Sequence, residues 1–145
     1  MQPDWYDKIE EVAGERPLGH GPLSGGCVAE VHKLEMPGGE FLVVKLAAGA
    51  ADGGAAAFGG LGLEGWMLRY LAENSDLPVP GVLHAGDDLL LMTYLAGGGH
   101  IGRGAEEHAA ELLAALHGAG GPNEGARRFG LERDTVIGGL RQPNP

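Results

Sequence analysis

Between Leu18 and Ala47 the chain reads LGHGPLSGGCVAEVHKLEMPGGEFLVVKLA: apolar residues that alternate or run for four to six positions, each stretch closed by glycine. That grammar belongs to strands. Pro37-Gly38-Gly39 separates VAEVHKLEM from EFLVVKL and reads as a hairpin connection, and Ser24-Gly25-Gly26 as an earlier turn. Three antiparallel strands follow. Glycine and proline make up about a quarter of the chain, 28 and 9 of 145 residues, which on composition alone borders on low complexity. Yet 43% of residues are hydrophobic and no G-X-Y period runs through the sequence, so collagen is excluded and a core can form. One domain, or part of one, is implied.

Ahead of the strands, Pro3-Asp4 followed by WYDKIEEVAGE predicts a short helix with Asp4 as its cap and Gly14 as its stop. Residues 47–60 are nearly all alanine and glycine and read as a linker. A helical pattern runs from Leu61 to about Glu73, ended by Asn74-Ser75-Asp76. VLHAG, an Asp87-Asp88 turn and LLLMTYL then predict two further strands, AGGGHIGRG a hinge, and Ala105 to His117 a helix stopped by Gly118. The remainder, from Gly120 onward, reads as loop. Five strands in an antiparallel meander with one inserted helix make an α+β lobe, and the last helix begins something further.

Charge and cysteine usage narrow the function. With 10 basic against 20 acidic residues the net charge is −10, so a basic footprint for nucleic acid is missing. A single cysteine, Cys27, cannot close an internal disulfide, which fits a reducing cytoplasm. The first residues show no targeting peptide, and the apolar runs are far shorter than a membrane span. The six histidines (His20, His32, His84, His100, His108, His117) lack a paired zinc spacing, and no metal site is expected. Arg127, Arg128, Arg133 and Arg141 alternate with acidic residues, as in a solvated loop, and Trp66 and Tyr70 at i, i+4 read as helix packing.

Lys45 stands out against this background. It closes the apolar run FLVVK in a chain with only three lysines, and on a strand it shares a face with Phe41 and Val43. Glu64 is its candidate partner. Met67, Leu68 and Leu71 lie at i+3, i+4 and i+7 from it, which sets the carboxylate in an apolar helix stripe where a cation would offset its burial. The alternatives are a lysine reaching to solvent and a glutamate favoured by the helix N-terminus. Strand, glycine turn, strand, hairpin, strand ending in lysine, helix with an inward glutamate: that order occurs in kinase-type phosphotransferases, where the lysine holds phosphates and the glutamate orients it.

Taken together, LSGGCVAEVHKLE, FLVVKLA, LEGWMLRYL, LPVPGVLHAG, LLLMTYL, LAALH and FGLERDTVIGGLRQPN resemble the N-terminal part of a fructosamine (ketosamine) kinase, a relative of the aminoglycoside and choline phosphotransferases. The last segment is similar to the family's FG…DN.IG…Q.N loop, with Thr135 where asparagine is usual. The resemblance implies a protein-kinase-like N-lobe over residues 1–95 and, over 96–145, the hinge and first helix of an incomplete C-lobe. It implies that Ser24, Gly25, Gly26 and Cys27 form a phosphate loop and that Lys45, oriented by Glu64, contacts ATP phosphates. Met92 would back the adenine pocket, and the main chain of Thr93, Tyr94 and Leu95 would bind the adenine edge. Asp134, Gln142 and Asn144 would belong to a substrate loop.

The implied substrates are ATP, with Mg2+, and glycated lysines or amines phosphorylated on the sugar 3-hydroxyl so that the adduct falls off. An aminoglycoside or choline acceptor and a non-catalytic kinase-like lobe are the alternatives. The family's catalytic aspartate and Mg2+ ligands lie in an HGD…N loop and a DPA-type segment, neither of which occurs by Pro145. The 145 residues alone are therefore expected to be inactive, as the front of a longer kinase. For Cys27 three roles stand side by side: a small buried filler, a thiol activated by loop amides, and, by resemblance, a redox-sensitive link between two copies in a homodimer.

Overall fold

A computed structural model describes residues 4–23, 29–47, 60–97, 101–118, 131, 133–137 and 140–144. The readings of 24–27 as a phosphate loop, of 48–59 as linker and of 98–100 as part of a hinge lie outside these residues. The first helix, α1 (Trp5–Ala13), is followed by strands β1 (Gly19–Pro22), β2 (Ala29–Glu35) and β3 (Phe41–Ala47). Gly14 stops α1 as expected, in the left-handed conformation (φ 79°), with its N–H donated to the Glu10 carbonyl at 2.9 Å. Asp4 does not cap it. Its backbone is already helical (φ −60°, ψ −28°), and without the extended backbone of a cap its carboxylate makes no capping hydrogen bond.

Helix α2 (Gly60–Asn74), β4 (Val82–Ala85), β5 (Leu89–Thr93), α3 (Arg103–Gly118) and the short strands β6 (Thr135–Ile137) and β7 (Leu140–Gln142) complete the order. β2 and β3 form the hairpin expected at Pro37-Gly38-Gly39, with Gly39 at φ 82°. The five-stranded sheet is antiparallel throughout, but it is not a meander: its order is β1-β2-β3-β5-β4. Composition explains the exchange. Leu89, Leu90 and Leu91 are all buried and need neighbours on both faces, so β5 lies inside, while the half-exposed β4 takes the edge.

The sheet is covered on both sides. Ile9 of α1 packs with Leu34, Met36, Leu42, Val44, Leu89 and Leu91 on one face. Strand alternation sends Val43 and Leu90 to the other, where α2 lies with Leu61 and Gly65 buried. Lys8 of α1 also reaches the β4–β5 turn, with Nζ 2.8 Å from Asp88 Oδ1. At its end α2 is closed by Asn74 Nδ2 and Ser75 Oγ, which donate to the carbonyls of Tyr70 and Leu71.

Two further expectations need correction. α3 begins two residues before Ala105, with the Gly102 carbonyl accepting from the Ala105 and Glu106 amides and an Arg103–Glu107 ion pair at i, i+4; Gly118 lies within the helix and is not its stop. The tail is not all loop, because β6 and β7 pair antiparallel from Thr135↔Gln142 to Ile137↔Leu140. Two β-branched residues ahead of Gly138-Gly139 are a hairpin signal that the glycine count obscured. No helix among the described residues is long and apolar enough to cross a membrane.

Candidate functional site

Lys45 occupies an inner position of the sheet, opposite Val31 of β2 and Leu90 of β5. Because Leu42 and Val44 face α1, the residues between and beyond them, Val43 and Lys45, face α2. Gly65 sets how near that helix comes. A β-carbon built there would lie under 3.0 Å from the Ala85 side chain and 3.1 Å from Leu90 Cδ1, so only glycine lets α2 rest directly on β4 and β5. The residue before it, Glu64, is thereby brought over the end of β3.

Lys45 Nζ donates to both Glu64 oxygens, at 2.9 Å to Oε1 and 2.7 Å to Oε2. The two side chains are 25% and 35% exposed, so the carboxylate is not in the middle of a buried stripe. Leu61 and Gly65 are the buried positions of α2, while Met67, Leu68 and Leu71 are half-buried; Glu64 sits on the flank of that face. An ion pair this exposed contributes at most about 1 kcal/mol to the fold. Its consequence is chemical. An ammonium has three N–H donors, two go to Glu64, and the remaining one is accessible to an anion at the sheet surface.

Met92 lies on the same sheet face as Lys45, opposite Val43, and is half-buried. Beyond it, the Thr93 N–H is donated to the Gly81 carbonyl at 2.9 Å and the Tyr94 N–H to the Phe41 carbonyl at 3.3 Å. Of the three amides expected to meet a base edge, therefore, only that of Leu95 makes no hydrogen bond among the described residues. Thr93 and Tyr94 are spent on extending the sheet. Ser24, Gly25, Gly26 and Cys27 fall outside the described residues.

Asp134, Gln142 and Asn144 are not brought to Lys45; their hydrogen bonds run within their own hairpin. Asp134 accepts from Arg141 (Nε at 2.8 Å, and Nη2) and from the Asn144 amide at 3.0 Å. Asn144 Nδ2 donates to the Arg133 carbonyl at 2.9 Å, and buried Thr135 gives its hydroxyl to Gln142 Oε1 at 3.2 Å. Nor are the tail arginines all solvated: besides Arg141 on Asp134, the Arg133 guanidinium lies over the Trp66 ring, 4.3 Å from its centroid. Trp66 thus does more than meet Tyr70. No spacing rule could have paired residues so distant in sequence.

The Arg141 hydrogen bond, then that of the Asn144 amide, holds the Asp134 carboxyl below its ordinary range. A carboxylate with a depressed folded pKa stabilises the fold above the unfolded value, near 3.9, and loses that contribution as pH falls through the folded one. The Asn144 amide resonance in an acid titration is therefore expected to move with a midpoint below that of an unpaired aspartate, and the Arg141→Gln substitution to raise the midpoint. A midpoint unaffected by the substitution would contradict the assignment. Among the described residues no three histidine, cysteine, aspartate or glutamate side chains come together to hold a metal ion, so no Mg2+ ligand set is found there.

With this geometry in hand, the comparisons are informative. The family model for fructosamine kinase matches residues 1–145. No curated protein matches the sequence. Among solved structures, a candidate fructosamine-3-kinase from Thermobifida fusca YX-ER1 is similar at 26% identity and a TM-score of 0.74, over 97% of this chain and 46% of that one. The streptomycin–ATP–APH(2'')-IIa ternary complex is similar in fold, at 16% identity and a TM-score of 0.55, over 81% of this chain and 40% of that one. The chain thus spans less than half the length of either.

Proposed function

The chain belongs to the fructosamine kinase family, and from that premise we propose that its five-stranded sheet and α2 form the nucleotide-binding part of an ATP-dependent small-molecule kinase. The observation that carries this reading is the two-pronged Lys45–Glu64 pair on an open sheet face. In this account Glu64 fixes the ammonium so that its third donor meets the α/β-phosphates, and the positive charge balances theirs. Met92 closes the inner end of the base pocket, the Leu95 N–H meets the base edge, and the loop from Ser24 to Cys27 covers the phosphates. Residues 1–95 would make up this lobe, and 96–145 would lead into a second.

Proton removal from the acceptor hydroxyl needs a free carboxylate. Asp88 is taken by Lys8 and Asp134 by Arg141, so these two suit structure and not proton transfer. The described residues accordingly supply nucleotide binding. The acceptor we propose is a fructosamine or ketosamine on a lysine or small amine, phosphorylated at the sugar 3-hydroxyl in the cytoplasm as a step in deglycation.

Transfer of labelled γ-phosphate tests this reading. The full-length protein is expected to label fructosyl-lysine and not kanamycin or choline, and the 145 residues alone to bind MgATP without transfer. Labelling of kanamycin or choline in place of fructosyl-lysine would overturn the acceptor assignment, and transfer by the 145 residues would overturn the division of labour.

A further inference from the structure

Lys33 is a second cation on the sheet face that carries Lys45. It lies opposite Val43, and Val43 lies opposite Met92, so Lys33 and Lys45 stand in adjacent rows on one side of the sheet. Among the described residues Lys33 pairs with no carboxylate. Its Nζ instead sits 3.7 Å from the centroid of the Phe41 ring and 4.2 Å from that of Tyr94. The two rings meet edge to face at 6.0 Å, and the Tyr94 N–H is donated to the Phe41 carbonyl. A half-buried lysine ordered in this way gives up much of its rotamer freedom, and attraction to the two ring faces offsets that loss.

Tyr94 is consequently held three ways: by the ammonium, by the Phe41 ring and through its own amide. The next residue is Leu95, whose N–H is the uncommitted donor at this end of the sheet. Resting on the nucleotide reading above, we propose that Lys33 is a positioning residue for the base: by fixing Tyr94 it aims the Leu95 amide at the adenine edge. Lys33 then governs the base end of the cleft and Lys45 the phosphate end.

Three probes separate the two ends: MgATP, adenosine and inorganic tripolyphosphate, each titrated into the chain by NMR. Lys33→Met is expected to weaken MgATP and adenosine binding by the same factor, roughly 3- to 10-fold, and to leave tripolyphosphate unchanged. Lys33→Arg, which keeps a cation over the rings, is expected to retain adenosine affinity. Phe41→Leu removes one ring and is expected to act in the same direction as Lys33→Met, which provides a test should that variant fail to fold. Unchanged adenosine affinity in Lys33→Met, or an equal loss of adenosine and tripolyphosphate as in general loosening, would overturn the proposal. A wild-type chain that binds none of the three would overturn the nucleotide reading beneath it.

Discussion

Gly65→Ala is expected to lower the melting temperature of the chain by roughly 3–10 °C, despite putting the best helix former in place of one of the worst. In an open helix the exchange would stabilise by about 1 kcal/mol. Here the new methyl would lie under 3.0 Å from the Ala85 side chain, and neither group can rotate away. Leu90 Cδ1 and Val82 Cγ1, at 3.1 and 3.5 Å, close the remaining sides. α2 must lift from β4 and β5, and overpacking of this kind costs roughly 1–3 kcal/mol beyond the helix gain. Because the helix carries Glu64, MgATP affinity is expected to fall with stability. The double substitution Gly65→Ala with Ala85→Gly removes the closest contact and should recover most of the lost melting temperature by circular dichroism. A single variant as stable as the parent would show that α2 does not rest on the sheet as described.

Lys45→Met is expected to have the opposite signature, large in binding and small in stability. The pair it breaks is a quarter to a third exposed, so the orphaned Glu64 can be hydrated and the fold loses no more than about 1 kcal/mol. Loss of a charge-assisted hydrogen bond to a phosphate amounts to roughly 1.5–3 kcal/mol, or about 10- to 100-fold in affinity. Glu64→Gln keeps the ammonium but releases its orientation, and should fall between the two. The contrast with Gly65→Ala separates a residue that touches ligand from one that places a helix.

Much of this organisation was legible in the residues. Alternation and glycine turns gave away β1 to β3, and the run LLLMT gave β5, because strand periodicity is local. The Lys45–Glu64 contact was also readable, since one lysine closing an apolar strand and one glutamate heading a helix restrict each other strongly. Strand order was not. It depends on β5 outcompeting β4 for the inner position, a matter of burial on both faces that Val82 to Ala85 do not announce. The glycine of greatest structural consequence, Gly65, was hidden among 28, because its role comes from Ala85 and Leu90 across the sheet. Arg133 on Trp66, Lys33 between Phe41 and Tyr94, and the spending of the Thr93 and Tyr94 amides are likewise long-range facts. So is the hairpin of β6 and β7, whose Asp134, Gln142 and Asn144 are tied to their own neighbours and not to Lys45.

Calorimetric titration of MgATP into the chain and into Lys45→Met tests the central claim most directly. The account predicts saturable binding to the parent chain, weakened about 10- to 100-fold in the variant while both melt within a few degrees of each other. Equal affinity in the two, or no binding by a folded parent chain, would contradict it.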